Sequence, residues 1–144
     1  MKKEKSQAQI MLESIELQDH IVRNKLIERS QWREIALGFS ANIDGVRVSS
    51  CGNKSKIEEA ITKCVDMEAE IDRQIDKLID LKREALKLIE SVANATQYRI
   101  LHMRYIQYMK LCSIAEAWGV PETNITTEHG RALASVQKIL DSRK

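Results

Sequence analysis

Between residues 5 and 37, apolar side chains recur at Ala8, Leu12, Ile15, Val22, Leu26, Ile35 and Ala36. That spacing predicts one long amphipathic helix, with Gly38 as its end signal. A second stretch carries an apolar residue every seven positions, at Ile57, Cys64, Ile71, Leu78, Ala85 and Val92, with a companion row at Ile61, Ile75 and Ile89. Ser55 to Glu58 spells a capping box at its start, and Glu68 and Lys82 break the companion row with charge. A lone helix of roughly 55 Å exposing such a stripe is unstable in water. The two helices are therefore expected to pair as an antiparallel, coiled-coil-like hairpin. Residues 38–54 lie between them and hold three of the five glycines, the turn dipeptide Asp44-Gly45 and an alternation around Val46 and Val48. They read as the one long loop.

The last third changes period. Asn94 and Thr96 are candidate caps for a helix bearing Ile100, Leu101 and Tyr105. Ser113 to Glu116 spells another capping box, and Gly119 suits a left-handed exit from a short helix. Pro121 is pre-set for the first turn of the next helix, which keeps Ile125, Ala132, Leu133, Val136 and Leu140 on an inward stripe. Ile114, Ala115, Trp118 and Val120 complete the predicted core of this trihelical end. A short helix, a glycine turn and a longer helix form the helix-turn-helix arrangement used by DNA readers.

These residues resemble region 4 of sigma-70 family factors. Leu101, Arg104 and Tyr105 stand on the preceding helix, Ile114-Ala115-Glu116 on the first helix of the motif, and Arg131-Ala132-Leu133 near the end of the recognition helix. Over most of its length the chain is similar to the phage-encoded RinA/ArpU-like late-gene activators. That likeness rests on Val48-Ser49-Ser50, the run Ile71-Asp72 through Leu78, and His129-Gly130-Arg131-Ala132-Leu133. The resemblance implies a transcriptional regulator that reads double-stranded promoter DNA in the cytoplasm of a bacterial host. It places Glu122, Thr123, Asn124, Thr126 and Thr127 on the face toward the groove, His129 and Arg131 further along toward phosphates, and Lys110 against the backbone. Thr offers a hydroxyl or a methyl to DNA, and Asn can read adenine with two hydrogen bonds. The chain departs from the sigma pattern in carrying Glu122, Thr126 and Thr127 where that family usually carries arginine.

Composition narrows the field. One proline, five glycines and 4% aromatics in 144 residues point to an all-α protein whose core is aliphatic. The expected division is a helical hairpin over 1–94 and a helix-turn-helix domain over 95–144. Residues 95–144 hold seven basic against four acidic side chains, and the rest hold sixteen against seventeen. The charge therefore leans toward nucleic acid at the C-terminal end. Residues 55–91 carry seven bases against ten acids, a solvated face or a docking surface for host RNA polymerase or for a second copy, giving a homo-dimer through the hairpin. Cys51, Cys64 and Cys112 are odd in number and lack metal spacing, and with His20, His102 and His129 they suggest neither a disulfide framework nor a metal site. No cofactor is expected, no run is apolar enough for a membrane, and no nucleophile, paired-carboxylate or phosphate-loop motif argues for an enzyme. The competing readings are a small-terminase-like DNA-packaging protein and a coiled-coil adaptor without DNA binding.

Overall fold

A computed structural model describes the backbone of residues 4–43 and 51–144 and the side chains of 4–38 and 54–144. The protein is all-α, and among the described residues there is no strand. Two long helices, α1 (Gln7–Ile43) and α2 (Cys51–Glu90), precede α3 (Ala95–Leu101), α4 (Leu111–Trp118) and α5 (Glu122–Ser142). Helix α3 runs on into a widened π-helical turn, His102–Ile106, closed by the Gln107 amide donating to the His102 carbonyl at 3.1 Å. Tyr108 then takes a left-handed conformation at φ 59° and turns the chain toward α4.

The helix ends differ from the sequence expectation. Ser6 caps α1, its hydroxyl accepting from the Gln9 amide at 3.2 Å. Gly38 does not end the helix, which runs on to Ile43; a glycine inside a helix costs only about 1 kcal/mol. Helix α2 is already helical at Cys51, so Ser55 lies within it and is not a cap. Residues 38–43 and 51–54 of the anticipated loop are thus helical, and Asp44-Gly45, Val46 and Val48-Ser49-Ser50 fall outside the described residues. Asn94 does cap α3, accepting from the Gln97 amide at 3.1 Å.

By compactness the chain groups as Met1–Gln18 with Leu78–Lys144, and separately as Asp19–Lys77, a grouping other than a division at residue 94. Each long helix contributes to both units. In the first unit, Ala8, Leu12 and Ile15 of α1 and Ala85, Leu88 and Ile89 of α2 share one core with Leu101, Tyr105, Ala132, Leu133 and Val136. A smaller cluster, Ile100, Ile114, Ala115 and Ile125, fills the angle between α3, α4 and α5. Burying each large aliphatic chain is worth roughly 1.5–3 kcal/mol, so the helix-turn-helix draws much of its stability from the first helix of the chain. Polar ties follow the same path. Gln137 Oε1 on α5 accepts from the Ala8 amide at 2.9 Å, satisfying a free donor of the α1 first turn, and Arg104 pairs with Glu16 at 3.6 Å.

In the second unit α1 and α2 run antiparallel: Lys25 meets Glu70, while Arg29, further along α1, meets Cys64, earlier on α2. Val22, Ala60 and Ile71 are buried there. Ile35, expected on the inward stripe of α1, is instead 42% exposed.

Candidate nucleic-acid interface

Helix α4 begins at Leu111, with Lys110 in extended conformation before it and no side-chain cap. Ser113 is therefore the third residue of the helix, and the capping box read from sequence does not form there: a capping serine needs a non-helical backbone, which the helical Leu111 and Cys112 preclude. The C-terminal end follows expectation. Gly119 adopts φ 67°, ψ 34°, and the Val120 amide donates to the Ala115 carbonyl at 3.1 Å while the Gly119 amide reaches Glu116 at 3.2 Å. This pair of bonds is the Schellman closure, which needs a left-handed residue that only glycine adopts without a steric penalty. Pro121, at φ −61° and ψ 144°, is the N-cap of α5 and not its first helical residue. Val120, expected in the core, lies at the surface.

The stripe Ile125, Ala132, Leu133 and Val136 is buried, and Leu140 is half-buried. That orientation leaves Glu122, Thr123, Asn124, Thr126, Thr127 and Arg131 exposed on α5, with Lys110 exposed at the start of α4. Two of these side chains are already engaged. Thr127 Oγ1 donates to the Thr123 carbonyl at 2.8 Å, so the groups it has left for a ligand are oxygen lone pairs and a methyl. Arg131 pairs with Glu128 at 2.6 Å and keeps its other guanidinium N–H groups free of that bond. With three acids against two bases, α5 itself is not electropositive.

His129 is a correction. Expected near phosphates, it is buried at 9% exposure, and its Nε2 shares a 2.7 Å hydrogen bond with the Tyr105 hydroxyl. Its place four residues after Ile125 and three before Ala132 puts it on the inward stripe, a signal the sequence carries. Burial, helped by the nearby Arg104, lowers the His129 pKa, so the ring is neutral near pH 7; burial likewise pushes the Tyr105 hydroxyl upward. Arg104, whose guanidinium lies 5.4 Å from the Tyr105 ring centre, thus completes a Glu16–Arg104–Tyr105–His129 chain from α1 to α5.

Arg99 was not singled out from sequence. It is exposed on α3, with its guanidinium 4.4 Å from the centre of the half-buried Trp118 ring, a cation–π contact that also braces α4. Gln97 of α3 accepts from Ser135 of α5 at 2.9 Å. These contacts cross between helices and have no local spacing to announce them. Among the described residues no three His, Cys, Asp or Glu side chains gather to hold a metal, and no helix is long and apolar enough to cross a membrane.

The class this geometry defines is an all-α protein in which a helix-turn-helix shares its core with the base of a long helix pair. By its match over residues 39–137, more than half of the chain, it belongs to DUF1492, a family of proteins of unknown function. No curated protein and no solved structure matches it.

Proposed function

We propose that this protein is a DNA-binding transcriptional regulator of a phage or prophage, reading promoter DNA with the first two turns of α5 in the manner of sigma region 4. The observation that carries this reading is the division of α5 into two faces. Every large apolar side chain of its inward stripe is at least half-buried, while Thr123, Asn124, Thr126, Thr127 and Arg131 form a contiguous exposed polar face behind the Gly119 turn. A helix so presented suits a major groove, where hydroxyl and amide groups read base edges and flanking cations hold phosphates. Lys110 and Arg131 are the cations proposed for the backbone, and Arg99 joins them. The sparse charge of α5 makes the affinity of one copy modest. Contact with host RNA polymerase, or pairing of copies, would raise it through effective concentration.

The test is a salt-dependent binding titration of the whole protein on intergenic fragments of its own genome, beside a Thr126→Ala/Thr127→Ala variant and Lys110→Ala. Selective binding that the double variant loses is the expected result, with Lys110→Ala lowering affinity on all fragments and reducing the salt slope by about one. Equal binding of every fragment by wild type and double variant would refute sequence reading by α5. No binding at low salt would refute the DNA role.

A further inference from the structure

The unit formed by Asp19–Lys77 exposes more apolar side chains than it buries. Its described core is Val22, Ala60 and Ile71, whereas Ile27, Ile35, Leu37, Ile61 and Val65 are 42–64% exposed. Ile61 and Val65 lie one turn apart on α2 and form an apolar strip that α1 leaves uncovered. Isolated exposed leucines are ordinary on protein surfaces, whereas adjoining apolar residues one turn apart make a patch that another surface can cover.

We infer that a second copy of this chain covers the Ile61–Val65 strip, the two hairpins packing about a two-fold axis into a four-helix bundle. Charge selects that occupant. The α1 segment 19–38 has four bases against three acids, and the α2 segment 54–77 has five against seven. A two-fold pairing that sets α1 of each copy against α2 of the other brings the basic strand to the acidic one twice, since an isologous contact repeats itself. Two identical helix pairs also supply the matched lengths that a four-helix bundle requires. The inference stands on the hairpin alone and does not depend on the DNA-binding reading.

The experiment is sedimentation equilibrium of the full chain through the micromolar range. The wild type is run beside Ile61→Ser/Val65→Ser and beside Ile10→Ser/Leu17→Ser, which alters exposed apolar residues of the other unit. Both pairs are surface residues, so the variants fold, which far-ultraviolet circular dichroism verifies. The expected result is a wild-type dimer, a hairpin variant whose dimerisation is weakened at least about tenfold, and a control variant that still dimerises. A wild type that stays monomeric, a ring or filament in place of a dimer, or an association lost in the control and kept in the hairpin variant would each overturn the proposal.

Discussion

Replacing Tyr105 with phenylalanine removes one oxygen from a buried site and little else. The Tyr105 ring is 3% exposed and packs among Leu12, Leu88 and Val136, so phenylalanine fills the same volume and opens no cavity. What changes is His129, whose Nε2 loses its 2.7 Å partner in a site that admits little water. A buried polar atom stripped of its partner costs roughly 1–3 kcal/mol. With a urea m-value of about 2 kcal/mol/M, the middle of that range moves the unfolding midpoint down by about 1 M. The chain has two tryptophans, Trp32 and Trp118. In a Trp32→Phe background the fluorescence of Trp118, packed on the α3–α4–α5 cluster, reports the unit in question. Adding His129→Leu to Tyr105→Phe removes the stranded atom, so the double variant should lose less than the two single losses together, with a coupling of at least about 1 kcal/mol. Additive losses, or a Tyr105→Phe stability within about 0.5 kcal/mol of wild type, would refute the role assigned to this bond.

The same histidine sets a pH dependence. Burial holds its pKa below the unfolded value of about 6.5, so under acidification the unfolded chain binds a proton before the folded one does. Its contribution is therefore complete above about pH 6.5 and declines as pH falls toward the folded value, at up to about 1.4 kcal/mol per pH unit. Urea titrations at about pH 7.5 and about pH 5.5 should show a larger loss in wild type than in His129→Leu; equal losses would contradict it. Two glycines should respond with opposite signs. Gly119→Ala forces a side chain into φ 67° and should cost about 1–2 kcal/mol, whereas Gly130→Ala, inside α5 where a Cβ meets nothing within 4 Å, should gain about 0.5–1 kcal/mol. Thermal unfolding of the two variants checks the pair, and a stabilised Gly119→Ala or a destabilised Gly130→Ala would contradict it.

The helices themselves were legible from sequence because their signals are local. The Gly119 closure, the Asn94 cap and most of the seven-residue row of α2 each depend on neighbours within a few positions and appear as read, whereas Ile61 of the companion row is 51% exposed and Val92 lies beyond the end of α2. The starts of α2 and α4 were not legible. Ser55 and Ser113 have the spacing of caps, but residues just before them are helical, and a box cannot operate from inside a helix. At the candidate interface, the exposed face of α5 was legible from its inward stripe. His129 was misplaced because a polar residue type outweighed its position on that stripe. Arg99 on Trp118, Arg104 on Glu16 and Gln137 on Ala8 were out of reach, since they join helices that spacing alone cannot bring together.

The bond from Ala8 to Gln137 spans 129 positions of the chain. Ala8, Leu12 and Ile15 enter a core whose other members include Ala132, Leu133 and Val136, so turns of α1 await turns of α5 that are synthesised well over a hundred residues later. Loop closure over such a separation is slow compared with forming a helix turn. While it is pending, the part of the α1 stripe that meets α5 stays uncovered in the nascent chain. A chain cut short within α5 would lack the Gln137 seat and the Val136 contact, and would leave that stripe exposed to proteases. The helix proposed to read DNA is in this sense held by the N-terminal one: α5 is not presented until α1 has closed over it.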